Sequence, residues 1–375
     1  MAETNKFTSV FIASDFLATS QKEQDSNLRW LRDLFKRPIS VGGGVETLIA
    51  SSRWNEDFSF DRGAFFSASG LDVDLEETQV FFESTKISDR SVEVVKKAFP
   101  PRSLIVGYEL SSGTREIISR AGLIYIDVWL HPVRFLDDLL LAFDSNSPEL
   151  RERIASFEFP EEMNYVYADR IRVQMYRGKP SIRNDLKPKS ALYIGQTLKD
   201  KAIASANGML TLLQYKSEFE RAALTHNHLY YSRHPFVKAG DEKSLSFARG
   251  FKNVSLTNHP TYMLLASDEI DSVLSISSSV VTEAKYFGKA SYYLYRPPVR
   301  VYDQDGYSSI LHNYLFSGFW RFVFSGGDRP DAREISFIDG RNKLRDMLSW
   351  YWGFRQIDRL ESLYNNVSTL LTRKG

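Results

Sequence analysis

The sequence of 375 residues contains no cysteine. That absence excludes disulfide bridges, thiolate metal sites and a cysteine nucleophile, and it fits a reducing compartment. An excess of charge of either sign is also lacking, because 48 Lys and Arg stand against 47 Asp and Glu, for a formal net charge of +1. Proteins that bind nucleic acids concentrate positive charge, so this balance gives no electrostatic case for DNA or RNA as a partner.

Long apolar runs are missing as well. No window reaches the ~18 apolar residues that a membrane-spanning helix needs, and the longest apolar-aromatic stretch, 314–324, is short and carries Arg321. The first residues do not show the basic and then apolar pattern of a signal peptide, so we expect a cytoplasmic protein. Aromatic side chains are abundant, with 26 Phe, 19 Tyr and 6 Trp. Such side chains form cores, sugar platforms or membrane-facing surfaces.

Strand-like and helix-like segments alternate in two successive sets. The predicted strands of the two sets lie at 9–13, 103–108 and 123–128, and then at 191–194, 229–232, 254–256, 272–276 and 292–295. The predicted helices lie around 28–35 and 113–120, and then at 210–224 and 280–287. Alternation of this kind is typical of doubly wound parallel sheets. The sequence therefore predicts an α/β protein with two Rossmann-like domains that face a cleft.

The boundaries follow from composition. The polar stretch 176–189, with its glycine and prolines, is predicted to link an N-terminal acceptor domain at 1–180 to a donor domain at 190–335. The segment 336–375 is predicted to be helical, because apolar residues recur at spacings of three and four from Arg341 to about Asn365. We expect this helix to return to the N-terminal domain. The alternative is a helix that lies on a membrane surface.

One informative segment is Tyr-Ser-Arg-His-Pro at 231–235, at the end of a predicted strand. Ligands of doubly wound folds bind at the carboxyl ends of strands. His234 can donate a hydrogen bond to a phosphate oxygen, and Arg233 adds positive charge. The alternative is a structural histidine before a turn-forming proline, since His-Pro also occurs at 131–132 and 259–260.

A second segment strengthens this interpretation. Ser277, Ser278 and Ser279 lie between a predicted strand and a predicted helix, and a helix N-terminus with free N–H groups binds anions. Glu283, one turn into the helix, could accept a hydrogen bond from a ribose hydroxyl. The alternative is a serine cap followed by an acidic first turn. The two segments in one domain are more specific than either alone.

The His-Pro pair, the serine-led helix and Glu283 resemble the CMP-sugar site of bacterial sialyltransferases and capsule Kdo transferases, which share the two-domain glycosyltransferase-B architecture. The N-terminal half adds a closer match. The segments VGYEL at 106–110 and DVWLHPVRFLDD at 127–138 resemble the N-terminal domain of retaining β-Kdo transferases of the lipopolysaccharide O-antigen type. The resemblance extends in patches from about residue 8 to residue 300. It implies transfer of Kdo from CMP-Kdo to a sugar hydroxyl of a growing surface polysaccharide, with retention.

The resemblance also implies catalytic residues. The family's nucleophile is an aspartate in the first loop of the C-terminal domain, and Asp200 occupies that place here, although a polar surface loop is the alternative. Glu109 and Asp127 lie at or near predicted strand ends, so either is a candidate base for the acceptor hydroxyl. His131 and Arg134 are candidates for binding the acceptor or the donor carboxylate.

Neither a cofactor nor a metal is expected. Asp72 and Asp74 form a DxD pattern, but it lies in the acidic run DVDLEE, which is most simply a solvated surface stretch. The single phosphate charge of CMP can be offset by Arg, Lys, His and helix N–H groups. The expected partners are the CMP-sugar and an oligosaccharide or lipid-linked glycan, with peripheral association at the inner membrane as a further option. Two alternatives stay open: an inverting, sialyltransferase-like enzyme for another CMP-nonulosonic acid, and a non-catalytic sugar-binding module.

Overall fold

The computed structural model describes residues 6–18, 21–51, 60–70, 87–178, 186–198, 201–205, 208–235, 237, 239–295, 306–330, 344–345 and 347–348. The strands are β1 (Ser9–Ser14), β2 (Glu46–Ile49), β3 (Ser103–Tyr108), β4 (Ile124–Leu130), β5 (Leu141–Ser145), β6 (Ser190–Ile194), β7 (Ala204–Ser205), β8 (Gly208–Met209), β9 (His228–Ser232), β10 (Val254–Thr257), β11 (Ile270–Ser275), β12 (Ala290–Tyr293) and β13 (Ser308–Ile310). The α-helices are α1 (Gln21–Gly43), α2 (Arg62–Ser69), α3 (Asp89–Ala98), α4 (Ser112–Arg120), α5 (Pro148–Ala155), α6 (Glu162–Gly178), α7 (Lys216–Thr225), α8 (Glu242–Arg249), α9 (Thr261–Ala266), α10 (Val280–Ala284) and α11 (Ser317–Ser325).

The first unit is built on a sheet with the strand order β13-β5-β4-β3-β1-β2. The strands β2, β1, β3 and β4 are parallel, whereas β5 is antiparallel to β4 and β13 is antiparallel to β5. The strands β1 and β3 are buried along their whole length, which explains their continuous apolar sequence. In the parallel part, the order 2-1-3-4 reverses direction between β1 and β3.

Aromatic side chains fill one face of this sheet. Phe11, Phe16, Phe65 and Phe99 belong to a single buried cluster, and the rings of Phe11 and Phe99 meet edge to face with centroids 5.1 Å apart. Edge-to-face packing of this kind contributes beyond the burial of apolar area. Much of the high phenylalanine content therefore belongs to the core.

The longest described helix differs from the sequence expectation. The three consecutive glycines at 42–44 are a pattern typical of a turn, and the sequence therefore predicts a turn at 41–45, but α1 continues to Gly43. A Cβ on Gly42 would overlap the carbonyl oxygen of Ser317 and lie 3.0 Å from Cβ of Trp320, both in α11. The glycine is therefore required for the close approach of two helices rather than for a turn.

The second unit contains a fully parallel sheet with the order β10-β9-β6-β11-β12. When only the five strands of this sheet are numbered along the chain, this order is 3-2-1-4-5, the arrangement of the Rossmann fold, and it reverses between β6 and β11. Tyr193, Phe219 and Tyr231 lie in its buried core. The prediction of an α/β protein with two Rossmann-like units is therefore confirmed.

The two units are not contiguous in sequence. The first comprises Met1–His131, Leu140–Phe159 and Asp303–Lys343, and the second comprises Pro132–Leu139, Pro160–Tyr302 and Leu344–Gly375. The strand β13 falls within the range predicted for the donor domain, yet it belongs to the first sheet, because Ser308 to Ile310 pair with β5. The helix α6 continues to Gly178, so the predicted linker 176–189 begins inside a helix.

The predicted C-terminal helix is described only at 344–345 and 347–348. Leu344 and Leu348 are buried, and the backbone N–H groups of Leu344 and Arg345 donate to the carboxylate of Asp138. Residues 349–375, and with them most of the prediction, lie outside the described residues. Among the helices that the structure describes, none is long and apolar enough to cross a membrane.

Candidate functional site

Three loops come together in the second unit at the carboxyl ends of the neighbouring strands β9, β6 and β11. The backbone N–H of Gly195, directly after β6, donates to the carbonyl oxygen of Ser232 over 2.8 Å. A Cβ on Gly195 would lie 3.2 Å from that oxygen and 3.4 Å from the backbone nitrogen of His234. The absence of a side chain at 195 therefore lets the loop of β6 approach the loop of β9 closely.

Gln196 joins the loop of β6 to the loop of β11. Its Oε1 accepts from the backbone N–H of Ser277 over 2.7 Å, and its Nε2 lies 3.0 Å from the hydroxyl of Ser277. The hydroxyl of Ser275 donates to the carbonyl oxygen of Ile194 over 2.7 Å. The strand order reverses between these two strands, which is where ligands of such folds bind. Gln196 was not among the site residues predicted from the sequence. The one signal for it in the sequence was its position next to the glycine that follows a predicted strand.

The three predicted serines differ in their surroundings. Ser277 is only 1% exposed and is held by Gln196. Ser278 and Ser279 are half-buried and directly precede α10, and their carbonyl oxygens accept from the N–H groups of Val281 and Glu283. Within the described residues, the side chain of Ser279 makes no capping hydrogen bond to the helix. Of the three residues, Ser278 and Ser279 are thus the more accessible to a ligand.

Arg233 and His234 follow β9 but have different partners. The guanidinium of Arg233 donates to both carboxylate oxygens of Asp241, over 2.8 and 2.6 Å. A bidentate pair of this kind fixes the side chain and neutralises its charge. His234 is half-buried, and its carbonyl oxygen accepts from Val237 in a turn. Arg233 is thus engaged with Asp241, and the contact of His234 with a phosphate stays a prediction.

Glu283 lies inside the second unit and is 1% exposed. Its Oε1 accepts from the backbone N–H of Arg134 over 2.6 Å and from the hydroxyl of Tyr262 over 3.0 Å. Burial raises the pKa of Glu283 to about 7, against the lowering effect of the hydrogen bond from Arg134 and of the charges of Arg134 and Arg345. Its predicted contact with a ribose hydroxyl stays a prediction.

Arg134 belongs to a short segment, 132–139, that packs within the second unit. The guanidinium of Arg345 donates to the carbonyl oxygens of Arg134 and, over 3.0 Å, of Leu136. Asp138 accepts from the N–H groups of Leu344 and Arg345 over 3.3 and 2.9 Å. The first described residues of the C-terminal segment therefore hold the backbone next to Glu283.

His131 falls in the other unit, although it is close to Arg134 in sequence. It is buried in the first unit, and its backbone N–H donates to the carbonyl oxygen of Leu140 over 3.0 Å. The pairing of His131 with Arg134 as ligands of one carboxylate therefore remains a prediction.

The two candidate bases occupy different environments in the first unit. Asp127 has no exposed surface and accepts hydrogen bonds from the N–H of Leu110, the indole of Trp129 and the hydroxyl of Tyr307. Burial raises its pKa to about 7, against the guanidinium of Arg115, 3.9 Å away. Glu109 is half-buried directly after β3 and has a positive φ of 50°. Glu109 therefore lies next to the point between β1 and β3 at which the strand order of the first sheet reverses.

Several predicted residues lie outside the described residues, namely Asp200 with its neighbour Lys199, and the DxD residues Asp72 and Asp74. Within the part of the chain that the structure describes, no group of three or more His, Asp or Glu side chains is arranged to hold a metal ion.

The chain was compared with protein-family models, with curated proteins and with solved structures. No protein-family model matches the chain, and no curated protein sequence matches it. A solved structure described as Thermosulfurimonas dismutans KpsC, beta Kdo 2,7 transferase, is similar with a TM-score of 0.34 and 16% identity, over 75% of this chain and 96% of that chain. A second, the beta Kdo 2,4 transferase of KpsC from the same organism, has a TM-score of 0.33 and 14% identity, over 75% of this chain and 78% of that chain. Likeness of this degree assigns no activity.

Proposed function

We propose that this chain is a retaining glycosyltransferase that transfers Kdo from CMP-Kdo to a hydroxyl of a growing surface polysaccharide. One observation carries the proposal. The loops after β6, β9 and β11 meet where the strand order of a Rossmann sheet reverses. The loops after β9 and β11 hold His234, Ser278 and Ser279. These residues are part of the sequence pattern that resembles CMP-sugar sites.

The proposed donor contacts come from this group. The imidazole of His234 donates to a phosphate oxygen of CMP, and the hydroxyls of Ser278 and Ser279 add further donors. Ser277 is held back by Gln196 and fixes the shape of the loop. The donor CMP-Kdo carries one phosphodiester charge, so these groups suffice without a divalent ion. We further propose that the transfer takes place at the cytoplasmic face of the inner membrane.

The proposed chemistry is a double displacement. The carboxylate of Asp200 attacks the anomeric carbon, the bond to the phosphate oxygen breaks, and CMP leaves with the electron pair. The transition state is oxocarbenium-like, as in glycoside hydrolysis. The acceptor oxygen then attacks the same carbon, displaces Asp200 and gives its proton to a base. Glu109 and Asp127 are the candidates for that role, and Asp127 is enclosed by its own partners.

The test begins with donor binding and turnover. Calorimetry with CMP-Kdo, CMP-sialic acid and UDP-glucose should show binding of CMP-Kdo. His234→Ala should lower kcat/KM for CMP-Kdo about tenfold or more, because a hydrogen bond to a charged group contributes about 1.5–3 kcal/mol. His259→Ala is the matched control. It removes the histidine of another His-Pro pair in the same unit, after the edge strand β10.

The mechanism has its own test. Asp200→Asn keeps the size of the side chain and removes the nucleophile, so transfer should collapse. Mass spectrometry of the wild type with CMP-Kdo alone should show a Kdo adduct that maps to Asp200. Robust transfer by Asp200→Asn would contradict the nucleophile assignment. A product of inverted configuration would replace the double displacement with the inverting, sialyltransferase-like alternative. Binding of sugars without donor hydrolysis would favour the non-catalytic module.

A further inference from the structure

The turn after β3 has a strained backbone. Glu109, the first residue after this strand, has a φ of 50°, in the left-handed region that few residues besides glycine and asparagine adopt. Among the described residues, Arg102 and Lys189 are the other non-glycine residues with a positive φ. Both are exposed and directly precede β3 and β6, at the amino ends of these strands. Glu109 differs because it lies at a carboxyl end, beside the reversal between β1 and β3, where ligands of such sheets bind.

Two hydrogen bonds to β4 fix the backbone on both sides of Glu109. Its own N–H donates to the carbonyl oxygen of Val128 over 2.9 Å. The N–H of the next residue, Leu110, donates to Oδ1 of Asp127 over 3.0 Å. The peptides before and after Glu109 are thus both oriented by β4, and their orientations set φ and ψ. Backbone strain persists only where the surroundings enforce it in this way, and it clusters at functional sites.

Asp127 is itself held by a buried network. Its Oδ2 accepts from the indole N–H of Trp129 over 2.9 Å and from the hydroxyl of Tyr307 over 2.7 Å. The hydroxyl of Tyr307 in turn accepts from the guanidinium of Arg115 over 3.1 Å. Asp127 has no exposed surface and Tyr307 is buried, and hydrogen bonds in such surroundings are stronger than in water. The network therefore fixes the carboxylate that holds the N–H of Leu110.

Glu109 is the accessible residue of this turn. Tyr108, Leu110 and Ser111 are each at most 1% exposed, whereas Glu109 is half-buried. The side chain of Leu110 folds back over Gly107, where a Cβ would lie 2.4 Å from it. A glycine at 109 would adopt the same φ without strain. The chain thus keeps a carboxylate, at the expense of stability, at the partly exposed position of the turn.

We infer that Asp127 and Tyr307 are positioning residues: their network holds Glu109 in the left-handed conformation and so fixes the carboxylate that receives the proton of the acceptor hydroxyl. The inference rests on the proposed function and gives its two candidate bases different roles. In the second displacement the acceptor oxygen bonds to the anomeric carbon, and the bond from that carbon to Asp200 breaks with its electron pair going to Asp200. The proton passes to Glu109. Asp127 acts through the backbone and contacts no reacting atom.

The strain is tested by two truncations of the same side chain. Glu109→Gly and Glu109→Ala both remove the carboxylate, but glycine adopts a positive φ freely and alanine does not. Urea unfolding should therefore give Glu109→Gly the higher midpoint, whereas in ordinary backbone conformations alanine is the more stable of the two. Lys189→Gly and Lys189→Ala are the matched pair, because Lys189 has a φ of 56°, and they should show the same order. A midpoint of Glu109→Gly no higher than that of Glu109→Ala would overturn the inference.

The role of Glu109 is tested with CMP-Kdo as the donor and with methyl glycosides of glucose, galactose, ribose and Kdo as acceptors. Hydrolysis of the donor, with water as the acceptor, is measured in parallel. Glu109→Gln should lower kcat about 100-fold or more, as expected for the loss of a general base. It should still release a burst of CMP stoichiometric with the protein, because the first displacement needs no base. Lys189→Gly should keep the kcat of the wild type.

Tyr307→Phe tests the positioning role, because it removes the hydroxyl that joins Asp127 to Arg115 and leaves Glu109 in place. The kcat/KM for the acceptor should fall about tenfold, as expected for the loss of a hydrogen bond to a carboxylate. The kcat/KM for CMP-Kdo should change little, since it reports on the steps up to the release of CMP. A purely structural defect would lower both constants.

Tyr286→Phe is the matched control for this variant. Tyr286 belongs to the second unit, is buried, and donates its hydroxyl to the carboxylate of Glu161 over 3.1 Å. Tyr286→Phe therefore also loses one hydrogen bond from a buried tyrosine to a carboxylate, but away from the turn after β3. Both kcat/KM values of Tyr286→Phe should remain those of the wild type.

The outcomes distinguish this inference from the proposed function. A wild type that releases no CMP from CMP-Kdo would remove the proposed function and the inference with it. If the wild type uses CMP-Kdo, the inference is overturned when Glu109→Gln retains the wild-type kcat or when Tyr307→Phe behaves like Tyr286→Phe. Turnover in Glu109→Gln together with its loss in Asp127→Asn would make Asp127 the base and leave the proposed function in place.

Discussion

Asp127 is an example of a buried carboxylate that has a structural role near the end of a strand. Its two oxygens accept from Leu110, Trp129 and Tyr307. In Asp127→Asn one oxygen becomes an NH₂ group, which cannot accept from the indole of Trp129. Leaving a buried donor unpaired costs about 1–3 kcal/mol. We therefore expect urea unfolding to show a loss of stability of about that size.

The control for this prediction is Asp89→Asn. Asp89 forms an ion pair with Arg120, but its side chain is 94% exposed, and exposed pairs contribute little. We expect its urea midpoint to remain close to that of the wild type. Equal midpoints for Asp127→Asn and Asp89→Asn would show that the Asp127 network does not stabilise the fold.

Glu283 gives a prediction for the pH dependence of stability. Burial raises its pKa to about 7 from the ordinary value of 4.5. Between these two values the folded protein holds a proton that the unfolded chain has released, so the free energy of unfolding falls as pH rises through the interval. Burial of Asp127 acts in the same direction.

Glu283→Gln keeps the Oε1 acceptor for Arg134 and Tyr262 and removes the titration. Urea unfolding at pH 5 and pH 8 should therefore show a smaller difference for Glu283→Gln than for the wild type. Glu220→Gln, at an exposed position of α7, should leave the difference unchanged. An undiminished difference in Glu283→Gln would assign the pH dependence to other groups.

For single residues, the sequence predicts the position relative to strands and helices better than it predicts the contacts of the side chain. Glu109 was expected at a strand end and lies directly after β3. Asp127 was expected near a strand end as well, but its partner Tyr307 comes from a distant part of the chain. Glu283 was expected at the start of a helix, where it lies, but its contact with Arg134 also joins distant residues. Local patterns carry no information about such long-range contacts.

At the scale of elements, the approach of α1 to α11 gives the next prediction. Gly42→Ala would place a Cβ against the carbonyl oxygen of Ser317 and near Cβ of Trp320. These are helix backbone and Cβ atoms, so a helix must shift, and overpacking of this kind costs about 1–3 kcal/mol. Thermal unfolding of Gly42→Ala should show a lower Tm than the wild type.

Gly63→Ala is the matched helix variant. Gly63 is exposed on α2, and among the described residues a Cβ there would meet only the carboxylate of Asp61, at 3.3 Å. Because alanine has the higher helix propensity, its Tm should equal or exceed that of the wild type. A Tm of Gly42→Ala that is no lower than that of Gly63→Ala would mean that α1 and α11 adjust without strain.

The elements themselves were largely predictable. Buried parallel strands are short continuous apolar runs, and those at 103–108 and 191–194 coincide with β3 and β6 apart from one residue. Two features were not predictable. The glycines at 42 and 43 indicate a turn unless α11 is known to pack on them, and β13 is too short to give a pattern until it pairs with β5.

At the scale of the whole molecule, the proposed single-phosphate donor gives a prediction about metals. Transfer from CMP-Kdo should proceed at an unchanged rate after treatment with excess EDTA, because one phosphodiester charge can be offset by His234 and nearby hydroxyls. The measurement is product formation with and without the chelator. Activity that disappears and returns with magnesium or manganese would contradict the prediction and direct attention to Asp72→Ala and Asp74→Ala.

The placement of β13 affects how the chain is made on the ribosome. The edge of β5 remains without its neighbour until β13 has emerged about 160 residues later, which at ~5–20 residues per second is about 10–30 s. An uncovered sheet edge is a template for pairing with other chains. The nascent chain therefore passes through an interval in which its first sheet is exposed to misassembly, and the synthesis rate of residues 146–310 should influence the yield of folded protein.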